Sequence, residues 1–341
     1  MPAASRGVPT PAVVVNCNAG ESIQAAVDAS RPPAEIRITG ICVENVLIRD
    51  KDVSLRGTQR AGLDGIQSAV PSLPALTVRG SVLAQIDDLS FSNSAGTAVA
   101  IRGGANITVN NSLFENNGAV GLRVDSGAFV IANGLTFTAN PATNTSTSDA
   151  QFFCIACDFN GGGPAAVSTR GAIVSLLDSA VTGTLGIIAD QVGAFVDLDC
   201  VTFDTPHPCT MNVTGPAAVG TFSGTAALTG AGSFTGQLIA DDRGTVKLNG
   251  AIQRVTSSDG QPNIADTLGE IIVAPLADAA PPMQSLLRDT VSAHFARVLL
   301  LNDSVLKGSI QCSGAGDAFL DPTVTRSAGS TITGCEHGSV R

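Results

Sequence analysis

The chain has 341 residues and a formal net charge of −10, with 14% charged residues, 37 Gly, no Trp and no Tyr. It is too apolar for a fully disordered chain, and no uninterrupted apolar run reaches the roughly 20 residues that a membrane-spanning helix needs. Its only Lys are Lys51, Lys247 and Lys307, and no dense basic run exists, which excludes the usual nucleic-acid footprint.

In chain order, residues 1–12 read as a flexible segment, small and polar, with no apolar stretch of the kind a secretory leader carries between Met1 and Thr10. Residues 13–57 read as a cap and first coil. Within them Glu21–Ser30 predicts a short helix, with Ile23, Ala26 and Val27 on one face and a stop at Pro32-Pro33. The runs Glu35–Ile38, Val43–Ile48 and Val53–Leu55 predict strands.

From there a period governs the chain. Phe91, Phe114, Phe137 and Phe159 recur at steps of 23, 23 and 22, each followed by Ser, Asn, Gly or Thr. Two further steps of 22 land on Val181 and Phe203. Between these marks lie short runs with apolar residues at i and i+2: Val99–Ile101, Ile107–Val109, Leu122–Val124 and Phe129–Ile131. None buries an apolar face alone, whereas stacking one coil on the next does. The reading is all-β: a single-stranded right-handed parallel β-helix with a short N-terminal capping α-helix. Residues 58–260 form its coils, and 261–341 its terminal coils and C-terminal cap. The stretch from Met283 to Leu301 reads equally as helix or strand.

Three pieces, Ser22–Asp28, Glu44–Ile48 and Val53–Gly57, resemble the N-terminal cap and first coil of the pectin-lyase-like superfamily. That resemblance implies the fold, with the helix closing the lumen. It implies no single activity, because the superfamily holds lyases, hydrolases, epimerases, esterases, phage spikes and adhesive passenger domains. The β-helix galacturonases carry an Asn-Thr-Asp, an Asp-Asp, a Gly-His-Gly and an Arg-Ile-Lys in order. Here Asp87-Asp88 alone matches, and His207, His294 and His337 lie in no Gly-His-Gly, which counts against that hydrolase family. The Phe-x-x-Asn pieces at Phe114–Asn117 and Phe137–Asn140 also resemble repeats of bacterial surface adhesins.

Eight Cys form an even set: Cys17, Cys42, Cys154, Cys157, Cys200, Cys209, Cys312 and Cys335. Spacing suggests four local disulfides, Cys17–Cys42, Cys154–Cys157, Cys200–Cys209 and Cys312–Cys335, though eight Cys allow 105 pairings. Disulfides, few Lys and few aromatics point to a secreted, periplasmic or cell-surface protein.

Chemistry has two candidate seats. Arg56, Arg79, Arg102 and Arg123, at steps of 23, 23 and 21, each flank an inward apolar residue and are expected on one strand of successive coils, with Arg170 continuing the line. Asp125 and Glu115 are the acids placed to offset them. Such a ladder suits a polyanion, because the guanidinium fork matches carboxylates. Asp197 and Asp199 share a strand face and suit Ca2+; no other cofactor is expected. Asp241-Asp242 is a third acidic pair. The expected role is structural, adhesive or glycan- or protein-binding, with an acidic polysaccharide or a surface protein as partner. The alternatives are a lyase acting on a uronate-containing glycan, with an arginine as base, and a trimeric phage-type spike, so the chain is expected as monomer or trimer. Missing Trp and Tyr weigh against a neutral sugar, since the period places most Phe in the lumen.

Overall fold

The structure, a computed structural model, describes residues 12–182 apart from 178, the strands beyond them as far as 306, and residues 309–313 and 317–335. The chain winds through three long parallel sheets in turn, and a fourth, of three short strands, joins Leu286–Leu287, Val305–Leu306 and Thr325–Arg326. Sheet 1, of fourteen strands, starts at Val13–Asn16, Ala34–Thr39 and Val53–Gly57. Sheet 2, of ten strands, starts at Ile41–Val43, and sheet 3, of thirteen, at Val46–Arg49. Each strand pairs with its counterpart in the coils before and after it, all in parallel. This is the expected all-β parallel β-helix.

The strands alternate. In Val53–Gly57, Val53 and Leu55 are buried and Arg56 is exposed, and the same two-residue period runs through Ile107/Val109 and Val130/Ala132. The inward residues line one continuous lumen. Phe91, Phe114, Phe137 and Phe159 occupy matching places in sheet 2, with centroids 5.3, 4.8 and 4.9 Å apart along the stack. Val181 follows Phe159 in register, as the period predicts. The next step does not hold. Val213, not Phe203, pairs with Val181, because this coil carries an insertion; Phe203 itself lies outside the described residues.

The Phe-x-x-Asn pieces are corner devices. Asn117 and Asn140 are fully buried three residues after their rings. Asn117 Nδ2 donates to Phe91 O (3.1 Å) and to Asn140 Oδ1 (3.0 Å). Asn140 Nδ2 donates to Phe114 O (3.0 Å) and to Asn144 Oδ1 (2.9 Å). Buried amides are tolerated because they are satisfied in this way.

The cap follows from its own sequence. The helix spans Ile23–Ala29, with Ser22 as N-cap and Ile23 and Val27 buried over the lumen. Glu44 accepts from Ile23 N (2.6 Å), Gln24 N (3.1 Å) and Ser22 Oγ (2.9 Å), placing an anion on the unpaired amides of the first turn. Lys51 Nζ donates to Val27 O (2.7 Å) and Asp28 O (3.0 Å) at the other end. Gln24 pairs with the backbone of Leu47 through Oε1 (2.6 Å) and Nε2 (3.2 Å), as a neighbouring strand would. The first edge of sheet 3 is thereby blunted.

Three of the expected disulfides are formed: Cys17–Cys42, Cys154–Cys157 and Cys312–Cys335. Cys200 and Cys209 lie outside the described residues. The ambiguous stretch near 283–301 resolves as strands, Leu286–Leu287, Val291–His294 and Arg297–Leu300. Among the described residues no helix is long and apolar enough to cross a membrane.

Candidate functional site: an arginine row on sheet 3

The expected ladder exists in altered form. Arg49, Arg79 and Arg102 end three successive strands of sheet 3 and are in direct register. Strand neighbours lie roughly 4.8 Å apart, so three guanidinium stems follow one another along the axis. Arg49 was not singled out by the spacing. The coil from Arg49 to Arg79 holds two extra loops, residues 58–64 and 68–75, and therefore breaks the 23-residue step.

Arg56 is not in the row. It lies on sheet 1, in register with Arg37 and Asp87, and its 23-residue distance from Arg79 is a coincidence of those same loops. Arg123 is on sheet 3 but two residues short of the row: Asp125 pairs with Arg102, and Arg123 pairs with Ala100. Arg170 is also displaced. Thr169 holds the strand position next to Ser148, and Arg170 takes the corner beyond it with φ +50°. That corner is left-handed in coil after coil, at Asp50, Gly80, Gly103, Ser126 and Asp149. Among these, a Cβ at Gly80 would run into the Asp50 carboxylate. Glu115 sits in sheet 2 and does not reach the row.

Four arginines therefore cluster on one face, Arg49, Arg79, Arg102 and Arg123. One carboxylate serves two of them. Asp125 meets Arg123 Nε at 2.9 Å and Arg102 Nε at 3.8 Å, and accepts from Ser126 Oγ at 3.1 Å. The longer contact is ionic only, and Arg102 Nε is buried with no hydrogen-bond partner among the described residues. Arg49 and Arg79 have neither an ion pair nor a side-chain hydrogen bond among the described residues.

Sheet 1 carries a second charged feature, a shallow cleft of about 290 Å³ formed by Glu35, Ser54, Arg56, Gln85 and Asp87 with Pro33 and Ala34. Its charges are matched. Arg37 pairs with Glu35 at 2.7 Å and Arg56 with Asp88 at 3.9 Å. Asp87 accepts from Gln85 Nε2 (2.8 Å) and Asn110 Nδ2 (2.7 Å), and Asp88 from Asn111 Nδ2 (3.3 Å). Asp64 is fully buried and holds the loop 58–64 by accepting from Gly40 N (2.6 Å) and Gln59 N (2.6 Å). These acids are engaged in holding corners and strands.

Asp197 and Asp199 lie on the sheet 1 strand Phe195–Asp199, in register with Ser175 and Leu177; their side chains lie outside the described residues. Asp241-Asp242, His207 and His337 lie outside them as well, and His294 ends a strand whose side chains do. Among the described residues no three His, Cys, Asp or Glu side chains converge as a metal site.

No family model matches the chain, and no curated protein does. Among solved structures it is similar to a family 28 exopolygalacturonase of Yersinia enterocolitica, with a TM-score of 0.41 and 12% identity over 97% of this chain and 80% of that one. It is also similar to the catalytic unit of a GH87 α-1,3-glucanase of Streptomyces thermodiastaticus, with TM-score 0.36 and 13% identity over 97% and 71%. A third is pectate lyase Pel9A, with TM-score 0.31 and 11% identity over 98% and 82%. At these values the likeness says nothing of function, which rests on this chain's own surface.

Proposed function

We propose that this parallel β-helix is an exported adhesive or structural protein that binds an acidic polysaccharide, uronate-containing, along the arginine row of sheet 3. The observation that carries the reading is the register of Arg49, Arg79 and Arg102 on successive coils, with Arg123 beside them and, among the described residues, Asp125 as the one carboxylate in contact. Like charges one rung apart cost free energy unless a ligand or counter-charge offsets them. A chain with carboxylates spaced along its length supplies that offset, and each guanidinium can grip a carboxylate with two parallel hydrogen bonds. Disulfides at both ends fit a protein that works outside a reducing compartment. The reading is one of binding because Asp125, the carboxyl within the row, is held by Arg123, Arg102 and Ser126.

The test is affinity electrophoresis in gels cast with polygalacturonate, alginate or neutral dextran. The wild-type chain is expected to be retarded by the two polyuronates and not by dextran. Arg79→Glu combined with Arg102→Glu should weaken the interaction at least tenfold, two charge-assisted contacts being lost and two repulsions gained. Equal retardation of wild type and variant overturns the proposal. New ultraviolet absorbance from unsaturated uronate ends, with or without Ca2+, would replace binding by lyase action.

A further inference from the structure

Sheet 1 has an outward aromatic pair that its strand pattern conceals. In the strand Phe129–Asn133, Val130 and Ala132 are fully buried, so Phe129 and Ile131 take the outer face and are half-buried there. In the next strand, Gln151–Ile155, Phe152 and Cys154 face inward, and Phe153 lies outside with Gln151 and Ile155. The rings of Phe129 and Phe153 are 5.5 Å apart and tilted by 44°. Phe129 stands in register between Asn106 on one side and Gln151 on the other. Both amides are exposed, and among the described residues neither side chain has a hydrogen-bond partner. At the other end of these strands, two outward columns over, Asn133 Nδ2 donates to Asn110 Oδ1 at 2.9 Å, and Asn110 Nδ2 to Asp87 at 2.7 Å.

We propose that this patch is a second carbohydrate subsite, independent of the arginine row, that takes a neutral pyranose chain. A sugar ring has an apolar C–H face and a rim of hydroxyls. The Phe129–Phe153 pair offers a broad π-surface for the face. Asn106 and Gln151, each about 5 Å from Phe129 along the axis, offer donors and acceptors at the rim. The strands 106–110, 129–133 and 151–155 contain no charged residue, so nothing here selects an anion. A second copy of the chain fits poorly. Among the described residues the apolar side chains of the face run from Leu83 to Ile173, about 20 Å of axial length, and are broken by Asn106, Gln151 and Ser175, whereas a stable protein interface covers roughly 800 Å² on each partner.

The test uses the full chain made in bacteria, so that the Asn106-Ile-Thr sequon bears no glycan, with cellohexaose, xylohexaose, mannohexaose and maltohexaose as probes. Saturation-transfer NMR is expected to show contact with at least one of the four, insensitive to added salt. Phe129→Ala/Phe153→Ala should weaken it about tenfold and Asn106→Ala/Gln151→Ala about fivefold. Arg79→Glu should leave it unchanged, and thermal unfolding should report all variants folded. No transfer to any of the four, or equal transfer in the double Phe variant, overturns the proposal. So does self-association that the double Phe variant abolishes, which would assign the face to a second copy.

Discussion

Thr147 shows how a single side chain can sit against its surroundings. It is fully buried in the lumen, in register with Val124 in one coil and Ser168 in the next, and its Oγ1 has no hydrogen-bond partner among the described residues. A buried hydroxyl without a partner costs about 1–3 kcal/mol. Valine has nearly the same shape without that atom. Thr147→Val is therefore expected to stabilise the protein by about 1 kcal/mol, read as a higher denaturant midpoint at unchanged slope. Destabilisation would mean that the hydroxyl is satisfied in solution. Asp64 is the opposite case, a buried carboxylate that accepts two short backbone bonds at the root of the loop 58–64. Asp64→Ala leaves both amides unpaired and should cost about 3 kcal/mol by the same measurement.

At the scale of elements, the cap helix depends on a residue 20 positions away in sequence. Glu44 holds its first turn, and with Ser22 and Gln24 it seats the helix on the lumen. Glu44→Ala should destabilise the protein by about 1–2 kcal/mol. It should also free the sheet 3 edge that Gln24 covers, so light scattering on storage is expected to rise. The elements also show what sequence could and could not reveal. The phenylalanine grid of sheet 2 was legible because no loop interrupts its coils between Phe91 and Val181. The arginine row was half legible: loops 58–64 and 68–75 hid Arg49 and brought in Arg56, and a 21-residue step was mistaken for a full coil at Arg123. The outward pair on sheet 1 was not legible, because Phe129-Val-Ile131 is apolar at both parities and only the pairing of Val130 with Ile107 and Phe152 decides which face turns in. The absent Trp and Tyr accordingly weigh less against neutral sugars than composition implied.

At the scale of the molecule, a local cation cluster sits on a chain of net charge −10. A polyanion approaching at low salt meets the field of the whole protein, since the screening length is about 30 Å at 0.01 M. Near 0.15 M it falls to about 8 Å, and the arginines dominate. Affinity for polygalacturonate is thus expected to rise from about 0.01 to 0.1 M salt before falling. Titrations over that range check it, and a monotonic fall would show that the row outweighs the net charge at every distance.

One coil differs from its neighbours in what it offers the interior. Sheet 3 contributes Leu122 and Val124 on one side and only Thr145 and Thr147 in the next strand, while Phe152 fills the space from sheet 1. A column of coils holds together by contacts between neighbours alone. Here hydroxyls take over part of that cohesion, since Thr143 Oγ1 donates to Pro164 O (3.0 Å) and Thr145 Oγ1 to Ala165 O (2.9 Å), so this coil is tied to the next by directed bonds where its neighbours rely on apolar contact.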